Sequence, residues 1–298
     1  MDNSLAVYFL CAGYGRRLRP LTDRVPKPAL TFQGKTALEL NCRLALPLLP
    51  ARLLCNAHHL FEAVEGVAKR FGMQVLYERE ILGTGGCIWN ARHILRDAGI
   101  FLVHNGDLLH TIDLKDLLRR HLESGDIATL AGIFRPTHNT LCCDQDGKLM
   151  GIHGYEGFNS VGETSRLTFS GIGVYNREFL EFGRPGVEDI KRYWVDALRA
   201  GMTIGVANYT NDAAWYDFGT PQGLWEASKF MMERSGDFSY GYSSPVREER
   251  PYVANEAGQE DLPDMLRNVL IYEESAVPIM PNTQNCVIGR DFRWEIVP

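Results

Sequence analysis

Hydrophobic residues in the first part of the chain follow two spacings, which predict strands and helices in turn. Short apolar runs that end in turn residues predict buried strands. These runs are LAVYFLC at 5–11, RLLCN at 52–56, MQVLYE at 73–78 and IFLVHN at 100–105. Between them, apolar residues at helical spacing predict helices over 60–71, over 86–97 and from Asp113 onward. Repeated strand–helix–strand units favour parallel strands with right-handed crossovers, so residues 1–125 are expected to form a layered α/β domain.

The pattern changes after residue 125 and favours antiparallel pairing. Strands are predicted at 127–134, near Leu141 and at 167–176, with a turn at 144–147. A helix near 187–200, a strand at 202–209 and a helix after Pro221 complete this part. A stretch rich in Ser, Tyr, Glu and Pro follows, and then short β-like runs. The sequence therefore predicts a main domain at 1–235, a linker at 236–262 and a short C-terminal β segment at 263–298.

Composition argues against several classes of protein. The 298 residues include 31 Lys and Arg against 37 Asp and Glu, a formal net charge of −6, and 45% are hydrophobic. Such a chain is expected to fold as an ordinary globule, without the basic excess that indicates a nucleic-acid partner. No apolar stretch approaches 18 uninterrupted residues, and the run at 5–12 lacks the basic flank of a signal peptide, so no membrane partner is expected. Seven cysteines without a CxxC pair predict reduced thiols in a cytoplasmic protein.

The first predicted strand leads into a segment rich in glycine and arginine, CAGYGRRLRP at 11–20. Glycines let backbone N–H groups approach a phosphate, and three arginines within four residues supply positive charge. A dinucleotide-binding fingerprint would need glycine in place of Leu18, and a Walker loop ending at 34–36 would need glycine in place of Ala29. Both motifs therefore fail, and a basic surface loop stays an alternative on these residues alone.

A lysine between two prolines follows, in Pro26-Lys27-Pro28. Proline fixes its own φ and restricts the residue before it, so the backbone at Lys27 is expected to be stiff. An ammonium group that is held stiffly is suited to staying in contact with a phosphate throughout a reaction.

These segments resemble the signature of the nucleoside-diphosphate-sugar pyrophosphorylases, the sugar-1-phosphate nucleotidyltransferases. That signature, G-x-G-[TS]-R-L-x-P-L-T followed by P-K-P, is matched here at all positions but one. Further family segments occur in the family's order: LGTGG at 82–86, NGD at 105–107, FSGIG at 169–173 and WYDFGTP at 215–221. The resemblance spans about residues 5–235. Within this family, the chain is close to mannose-1-phosphate guanylyltransferase-like and N-acetylmuramate-1-phosphate uridylyltransferase-like members.

The resemblance implies a Rossmann-like three-layer nucleotidyltransferase domain with a mixed, mostly parallel sheet. It implies transfer of a nucleoside monophosphate from an NTP to a sugar 1-phosphate, with catalytic roles for Arg17, Lys27 and Asp107 and with Mg²⁺ bound by Asp107 and Asp217. The implied nucleotide-binding residues are Ala12, Gly13, Gly15, Arg16, Gly83, Thr84 and Gly86. The implied sugar-phosphate-binding residues are Asn105, Glu163 and Gly171. Two carboxylates suit a hard Mg²⁺ ion, and Asp107 follows a strand at the edge where open α/β sheets bind ligands.

The chain departs from the family pattern at two places. Arg16 stands where the family has Thr or Ser, which adds charge and removes a hydroxyl. Residues 153–166 contain no lysine, whereas many relatives carry one in an E-K-P segment. The sugar-phosphate contacts are therefore expected to differ from the family's or to be fewer.

The end of the chain, residues 268–292, resembles a shortened hexapeptide left-handed β-helix, the C-terminal module of many mannose-1-phosphate guanylyltransferases. A plain β tail is equally consistent with these residues. A β-helical stub could pack on the main domain or mediate a homodimer, and it tilts the expected substrates towards GTP with a mannose-like sugar, with UTP next. A catalytically silent homologue that binds sugar nucleotides and regulates a partner is the alternative function. A glycosyltransferase that uses nucleotide sugars is a third.

Overall fold

The computed structural model describes residues 4–155, 162–233, 253–255, 267–272 and 283–297. The strands are β1 (Ser4–Leu10), β2 (Thr31–Phe32), β3 (Lys35–Thr36), β4 (Arg52–Ala57), β5 (Gln74–Tyr77), β6 (Gly99–Asn105), β7 (Leu108–His110), β8 (Ala128–Ile133), β9 (Leu141–Cys143), β10 (Leu149–Ile152), β11 (Ser165–Asn176), β12 (Ile204–Asn208), β13 (Trp215–Asp217), β14 (Val253–Asn255), β15 (Arg267–Ile271), β16 (Gln284–Ile288) and β17 (Arg293–Glu295). The α-helices are α1 (Ala37–Ala45), α2 (Phe61–Arg70), α3 (Gly83–Asn90), α4 (Arg92–Ala98), α5 (Leu114–Ser124), α6 (Ile190–Arg199) and α7 (Pro221–Glu233). Within the described ranges, no helix is both long and apolar enough to cross a membrane.

The chain divides into two compact units, each built from separate stretches of sequence. The first unit consists of Met1–Gly13, Asn41–Gly106 and His110–Trp215, and the second of Tyr14–Leu40, Asp107–Leu109 and Tyr216–Pro298. The linker expected at 236–262 lies outside the described residues except for β14. The division into a main domain, a linker and a C-terminal segment therefore stays a prediction.

The first unit is built on a nine-stranded sheet in the order β10-β9-β11-β6-β1-β4-β5, with β8 pairing with both β11 and β12. Strand β1 runs parallel to β4 and β6, and β4 runs parallel to β5. Antiparallel pairs gather around β11, which runs against β6, β8 and β9. The predicted mixed sheet is confirmed, and three of its parallel pairs are formed by the first strands of the chain.

Burial explains why these segments form strands in the centre of the sheet. Residues Ala6 to Phe9 of β1 are all 0% exposed, as expected for a strand whose two faces are both covered. The core of this unit contains the large side chains Tyr8, Phe101, Tyr175 and Trp194. All seven cysteines of the chain are buried thiols, as the sequence predicts.

The helix predicted at 86–97 is instead two helices, α3 and α4, which meet at Ala91. Helix α3 begins earlier than expected, because Gly83 enters it with φ +73° and its glycines pack against the backbone of residues 186–189. Strand β12 pairs in parallel with β8, within the part of the chain for which the pattern favours antiparallel pairing. Both differences depend on contacts between segments distant in sequence.

The second unit contains α7, the β2–β3 hairpin, three short 3₁₀ helices and a four-stranded C-terminal sheet. The 3₁₀ helices span Arg16–Leu18, Leu21–Asp23 and Lys27–Ala29. In the C-terminal sheet, β14, β15 and β16 are parallel and β17 runs antiparallel to β16. Parallel pairing of successive strands is consistent with the predicted stub of a β-helix, which itself stays a prediction.

Candidate active site

The turn after β1 places two arginines side by side on the surface of the second unit. Gly15 has φ +63°, and a Cβ there would lie 2.7 Å from Cγ2 of Thr22, so glycine is required. The Thr22 hydroxyl donates to the Gly15 carbonyl at 2.9 Å and fixes this turn. Arg16 and Arg17 follow in a short 3₁₀ helix, and both are exposed. The Arg16 guanidinium carbon lies 5.3 Å from the centre of the Tyr14 ring.

Lys27 opens a 3₁₀ turn between its two prolines. The carbonyl of Lys27 accepts from the N–H of Leu30 at 3.0 Å, and the carbonyl of Pro26 accepts from Ala29 at 2.8 Å. The Lys27 side chain is only 16% exposed, and its ammonium lies 2.5 Å from Oδ2 of Asp107.

The two predicted metal ligands lie at the ends of two short strands, β7 and β13, that pair with each other. Asp107 immediately precedes β7, and Asp217 ends β13. The Arg17 guanidinium lies 3.9 Å from Oδ2 of Asp217, and this pair is largely exposed, with side-chain exposures of 61% and 43%. The N–H of Gly219 donates to Oδ1 of Asp217 at 2.8 Å and orients the carboxylate.

Gly219 lies next to three of these charged side chains. A Cβ on Gly219 would lie 2.7 Å from Nη2 of Arg17, 2.8 Å from Oδ1 of Asp217 and 3.0 Å from Nζ of Lys27. Since Lys27 also contacts Asp107, four predicted residues belong to one cluster, which we call the charge cluster: Arg17, Lys27, Asp107 and Asp217. The sequence places these residues in motifs that are up to about 200 positions apart, and the fold brings them together.

The donor set of the charge cluster suits a hard divalent cation. Among the described residues, no group of three or more His, Cys, Asp and Glu side chains could hold a metal ion. Mg²⁺ commonly takes only one or two protein carboxylates and completes its shell with water and substrate phosphates. Asp107 and Asp217, which both keep solvent exposure, fit that pattern.

The glycine-rich segment at 82–86 belongs to the first unit, where it forms the start of α3, and several of its polar groups are hydrogen-bonded within the protein. The N–H groups of Gly85 and Gly86 both donate to the carbonyl of Glu188, at 2.8 and 3.2 Å. The Thr84 hydroxyl accepts from the N–H of Ile190 at 3.0 Å, at the start of α6. Gly86 allows the backbone of Gly186 to come close to this segment.

Two buried polar side chains, Asn56 and Glu78, link Leu82, which directly precedes α3, to the residues that directly follow β1. Oδ1 of Asn56 accepts from the N–H groups of Cys11 and Ala12, at 2.5 and 3.3 Å. Its Nδ2 donates to Oε1 of Glu78 at 2.7 Å, and Oε2 of Glu78 accepts from the N–H of Leu82 at 3.0 Å. Burial raises the pKa of Glu78, and the hydrogen bonds from Leu82 and Asn56 oppose that rise.

The predicted sugar-phosphate residues are only partly brought together. Strands β6 and β11 pair with His104 opposite Ile172, which places Asn105 beside Gly171 at the edge of the sheet. Gly171 has φ +86° and lies where the register of β11 shifts. Glu163 lies eight residues before Gly171, roughly 25 Å along an extended strand, and forms an ion pair with Arg166. The structure therefore does not bring Glu163 together with Asn105 and Gly171.

Three residues of this region received no individual role from the sequence. Gly219 lies inside the WYDFGTP segment, and its close approach to three charged side chains appears only in three dimensions. Asn56 and Glu78 follow the apolar runs of two predicted strands, and a polar residue at the carboxyl end of a buried strand is the signal that could have identified them.

Comparisons with known proteins show which proteins this chain is similar to. A family model described as Nucleotidyl transferase matches residues 8–141. The N-acetylmuramate alpha-1-phosphate uridylyltransferase of Neisseria meningitidis is 31% identical over 230 residues, which cover 73% of this chain and 94% of that protein. The mannose-1-phosphate guanylyltransferase of Mycobacterium tuberculosis is 30% identical over 219 residues, which cover 72% of this chain and 60% of that protein.

Solved structures agree with the fold. The inositol-1-phosphate CTP transferase from T. maritima superposes with a TM-score of 0.64 at 16% identity, covering 80% of this chain and 99% of that one. At such low identity, the likeness concerns the fold alone. The matches also span less than two thirds of the length of some relatives, including the M. tuberculosis protein.

Proposed function

Because the chain belongs to the nucleotidyl transferase family that acts on sugar 1-phosphates, we propose that it transfers a nucleoside monophosphate from an NTP to a sugar 1-phosphate. The products are a nucleoside-diphosphate sugar and pyrophosphate. The observation that carries this proposal is the charge cluster around Gly219, in which Arg17 pairs with Asp217 and Lys27 pairs with Asp107.

The reaction brings two polyanions together, so most of the catalysis consists of positioning and charge neutralisation. A phosphate oxygen of the sugar 1-phosphate attacks the α-phosphorus in line. The bond from that phosphorus to the bridging oxygen breaks, and pyrophosphate leaves with the electron pair. No general base is needed, since the attacking phosphate is already ionised. Arg17, which is largely exposed, neutralises the departing pyrophosphate, and the stiffly held Lys27 stabilises charge at the α-phosphate or the incoming phosphate.

Asp107 and Asp217 are the residues that would hold Mg²⁺. Bound there, the ion supplies additional positive charge and orients phosphate oxygens. The Lys27 ammonium can exchange its Asp107 partner for a phosphate oxygen, because both are anionic acceptors of similar size.

The remaining predicted residues divide into nucleotide and sugar contacts. Ala12, Gly13, Gly15, Arg16, Gly83 and Thr84 would contact the nucleotide, with Gly86 in support. Asn105 and Gly171 would contact the sugar phosphate, whereas Glu163 keeps its partner Arg166. The seven buried thiols favour a reducing compartment such as the cytoplasm.

Among substrates, we favour GTP with a mannose-like sugar, followed by UTP. The guanylyltransferase relative and the parallel pairing of β14, β15 and β16 support this order, and the uridylyltransferase relative supports UTP as the second choice. A thermal-shift panel of GTP, UTP, CTP and dTTP with Mg²⁺ ranks the bases, because a ligand that binds the native state raises its stability.

The experiment that tests the proposal is pyrophosphate release over pairs of NTP and sugar 1-phosphate. We expect one pair to react strongly, and expect Lys27→Ala and Asp107→Asn each to lower turnover by about 100-fold or more. Lys69→Ala is the matched control, because Lys69 is exposed on α2 and pairs with Glu65, one helical turn away. Retained nucleotide binding without release from any pair would instead indicate a catalytically silent homologue.

A further inference from the structure

Two side chains of the C-terminal sheet contact the chain on either side of Lys27. Lys27 lies in a short turn, residues 26–30, which we call the lysine turn. Arg24 precedes this turn and Thr31 follows it. Tyr272 lies directly after β15, and Asp291 lies in the hairpin between β16 and β17. Both therefore belong to a part of the chain whose role the sequence leaves open.

The contact that follows the lysine turn in sequence joins the Tyr272 hydroxyl to both backbone groups of Thr31. The Tyr272 hydroxyl accepts from the N–H of Thr31 at 2.5 Å and donates to the carbonyl of Thr31 at 3.0 Å. Tyr272 is only 8% exposed, and its own N–H donates to the carbonyl of Ile288 at 2.8 Å. The hydroxyl is thus held by the sheet and fixes the backbone four residues after Lys27.

The contact that precedes the lysine turn in sequence is an ion pair between Arg24 and Asp291. Nη2 and Nη1 of Arg24 donate to the two carboxylate oxygens of Asp291 at 3.0 and 3.2 Å, the fork geometry that favours arginine over lysine. The hairpin that carries Asp291 is closed by the N–H of Gly289, which donates to the carbonyl of Phe292 at 3.1 Å. Since Asp291 is 55% exposed, this ion pair adds little to the stability of the protein, and its main effect is to orient Arg24.

The segment after the lysine turn also packs against the strand end that carries the second acid. The rings of Phe32 and Phe218 meet edge to face with centroids 4.9 Å apart, and Phe218 directly follows Asp217. A shift of Thr31 and Phe32 would therefore be transmitted to both Lys27 and Asp217. Small misplacements of catalytic groups are costly, since an error of about 1 Å can lower the rate about 100-fold.

We infer that the C-terminal sheet holds the catalytic lysine in position, with Tyr272 and Asp291 as positioning residues for Lys27. The inference rests on the proposed function in that Lys27 is taken as a group that contacts phosphate. It assigns to the C-terminal sheet a role in positioning an active-site residue, in addition to any role in assembly.

The test compares Tyr272→Phe and Asp291→Asn in the full chain with Glu295→Gln. Glu295 lies in the same sheet and pairs with Arg293, so its substitution is the matched control. We expect Tyr272→Phe to lower kcat about tenfold, Asp291→Asn to lower it about threefold, and both to leave KM for the NTP within about twofold. The control should equal the wild type. The charge exchange Arg24→Asp with Asp291→Arg should recover activity that Arg24→Asp alone loses.

A second measurement makes the inference independent of the assay. Hydrogen exchange of peptides covering 24–36 should be faster in Tyr272→Phe than in the wild type, and unchanged in Glu295→Gln. Wild-type kcat together with wild-type exchange in Tyr272→Phe would overturn the inference. A wild-type protein without transferase activity would instead count against the proposed function, and the exchange comparison would still decide whether the sheet fixes this segment.

Discussion

The ammonium of Lys27 lies 2.5 Å from the Asp107 carboxylate, although the two residues belong to motifs 80 positions apart. Each side chain is partly buried, with exposures of 16% and 27%. The same ammonium lies within 3.0 Å of the point where a Cβ on Gly219 would stand. Lys27 therefore contacts Asp107 and also lies next to Gly219, whose N–H orients Asp217, and this arrangement underlies the first prediction.

Gly219→Ala should abolish most activity while leaving the fold intact. The added methyl group would displace the ends of Arg17, Asp217 and Lys27, which are flexible and can move with little cost in stability. We expect turnover to fall about 100-fold and the melting temperature to stay within about 2 °C of the wild type. Gly66→Ala, where a Cβ meets nothing within 4 Å, is the control and should keep full turnover.

Gly86→Ala should destabilise the protein, whereas Gly219→Ala should affect mainly its activity. A Cβ there would lie 2.1 Å from the carbonyl oxygen of Gly186, and a backbone atom in a packed segment cannot easily move. The expected loss in unfolding free energy is about 2–3 kcal/mol by urea denaturation. A loss of less than about 0.5 kcal/mol would show that residues 186–189 adapt to a larger residue.

Asn56→Ala should lower both stability and nucleotide affinity. The change leaves the N–H groups of Cys11 and Ala12 and one oxygen of Glu78 without the partner that Asn56 provides. Buried polar groups that lose a hydrogen bond cost about 1–3 kcal/mol each, and we expect a total loss of about 3 kcal/mol. Denaturation together with a titration of NTP measures the two effects, and the exposed Asn90→Ala should change neither.

Asp116→Asn should destabilise the protein in a manner that depends on pH. Burial tends to raise the pKa of Asp116, but hydrogen bonds from Arg120, Arg119 and Tyr209 outweigh it and lower this pKa to about 2. A carboxyl whose folded pKa is depressed contributes stability above its unfolded pKa near 3.8, and that contribution is lost as the pH falls towards 2.

The expected loss for Asp116→Asn is about 1 kcal/mol at pH 7, since the arginines are about half exposed. Melting temperatures of the variant and the wild type should differ at pH 7 and converge below about pH 4. A difference that stays constant from about pH 7 to about pH 3 would contradict the assignment of this pKa. Glu123→Gln, which removes an exposed partner of Arg119, is the control and should show little effect at either pH.

The sequence by itself determined the properties that depend on near neighbours in the chain. Apolar spacing located β1, β4 and β6 to within about two residues, because burial of a strand needs only a short uninterrupted run. The motifs singled out Arg17, Lys27, Asp107 and Asp217, whose roles stay predictions. They also pointed to the family that the N. meningitidis relative supports. Stiffness of the backbone at Lys27 stays a prediction from its two prolines.

Only the tertiary structure decided which distant residues meet. The approach of Gly219 to three charged side chains, the Asn56–Glu78 pair and the contact of Tyr272 with Thr31 join segments far apart in sequence. The separation of Glu163 from Asn105 depends on how strand β11 extends across the sheet, which no local pattern encodes. Such contacts arise from the packing of the whole chain, and the strength of a charge or hydrogen bond depends on the burial that this packing creates.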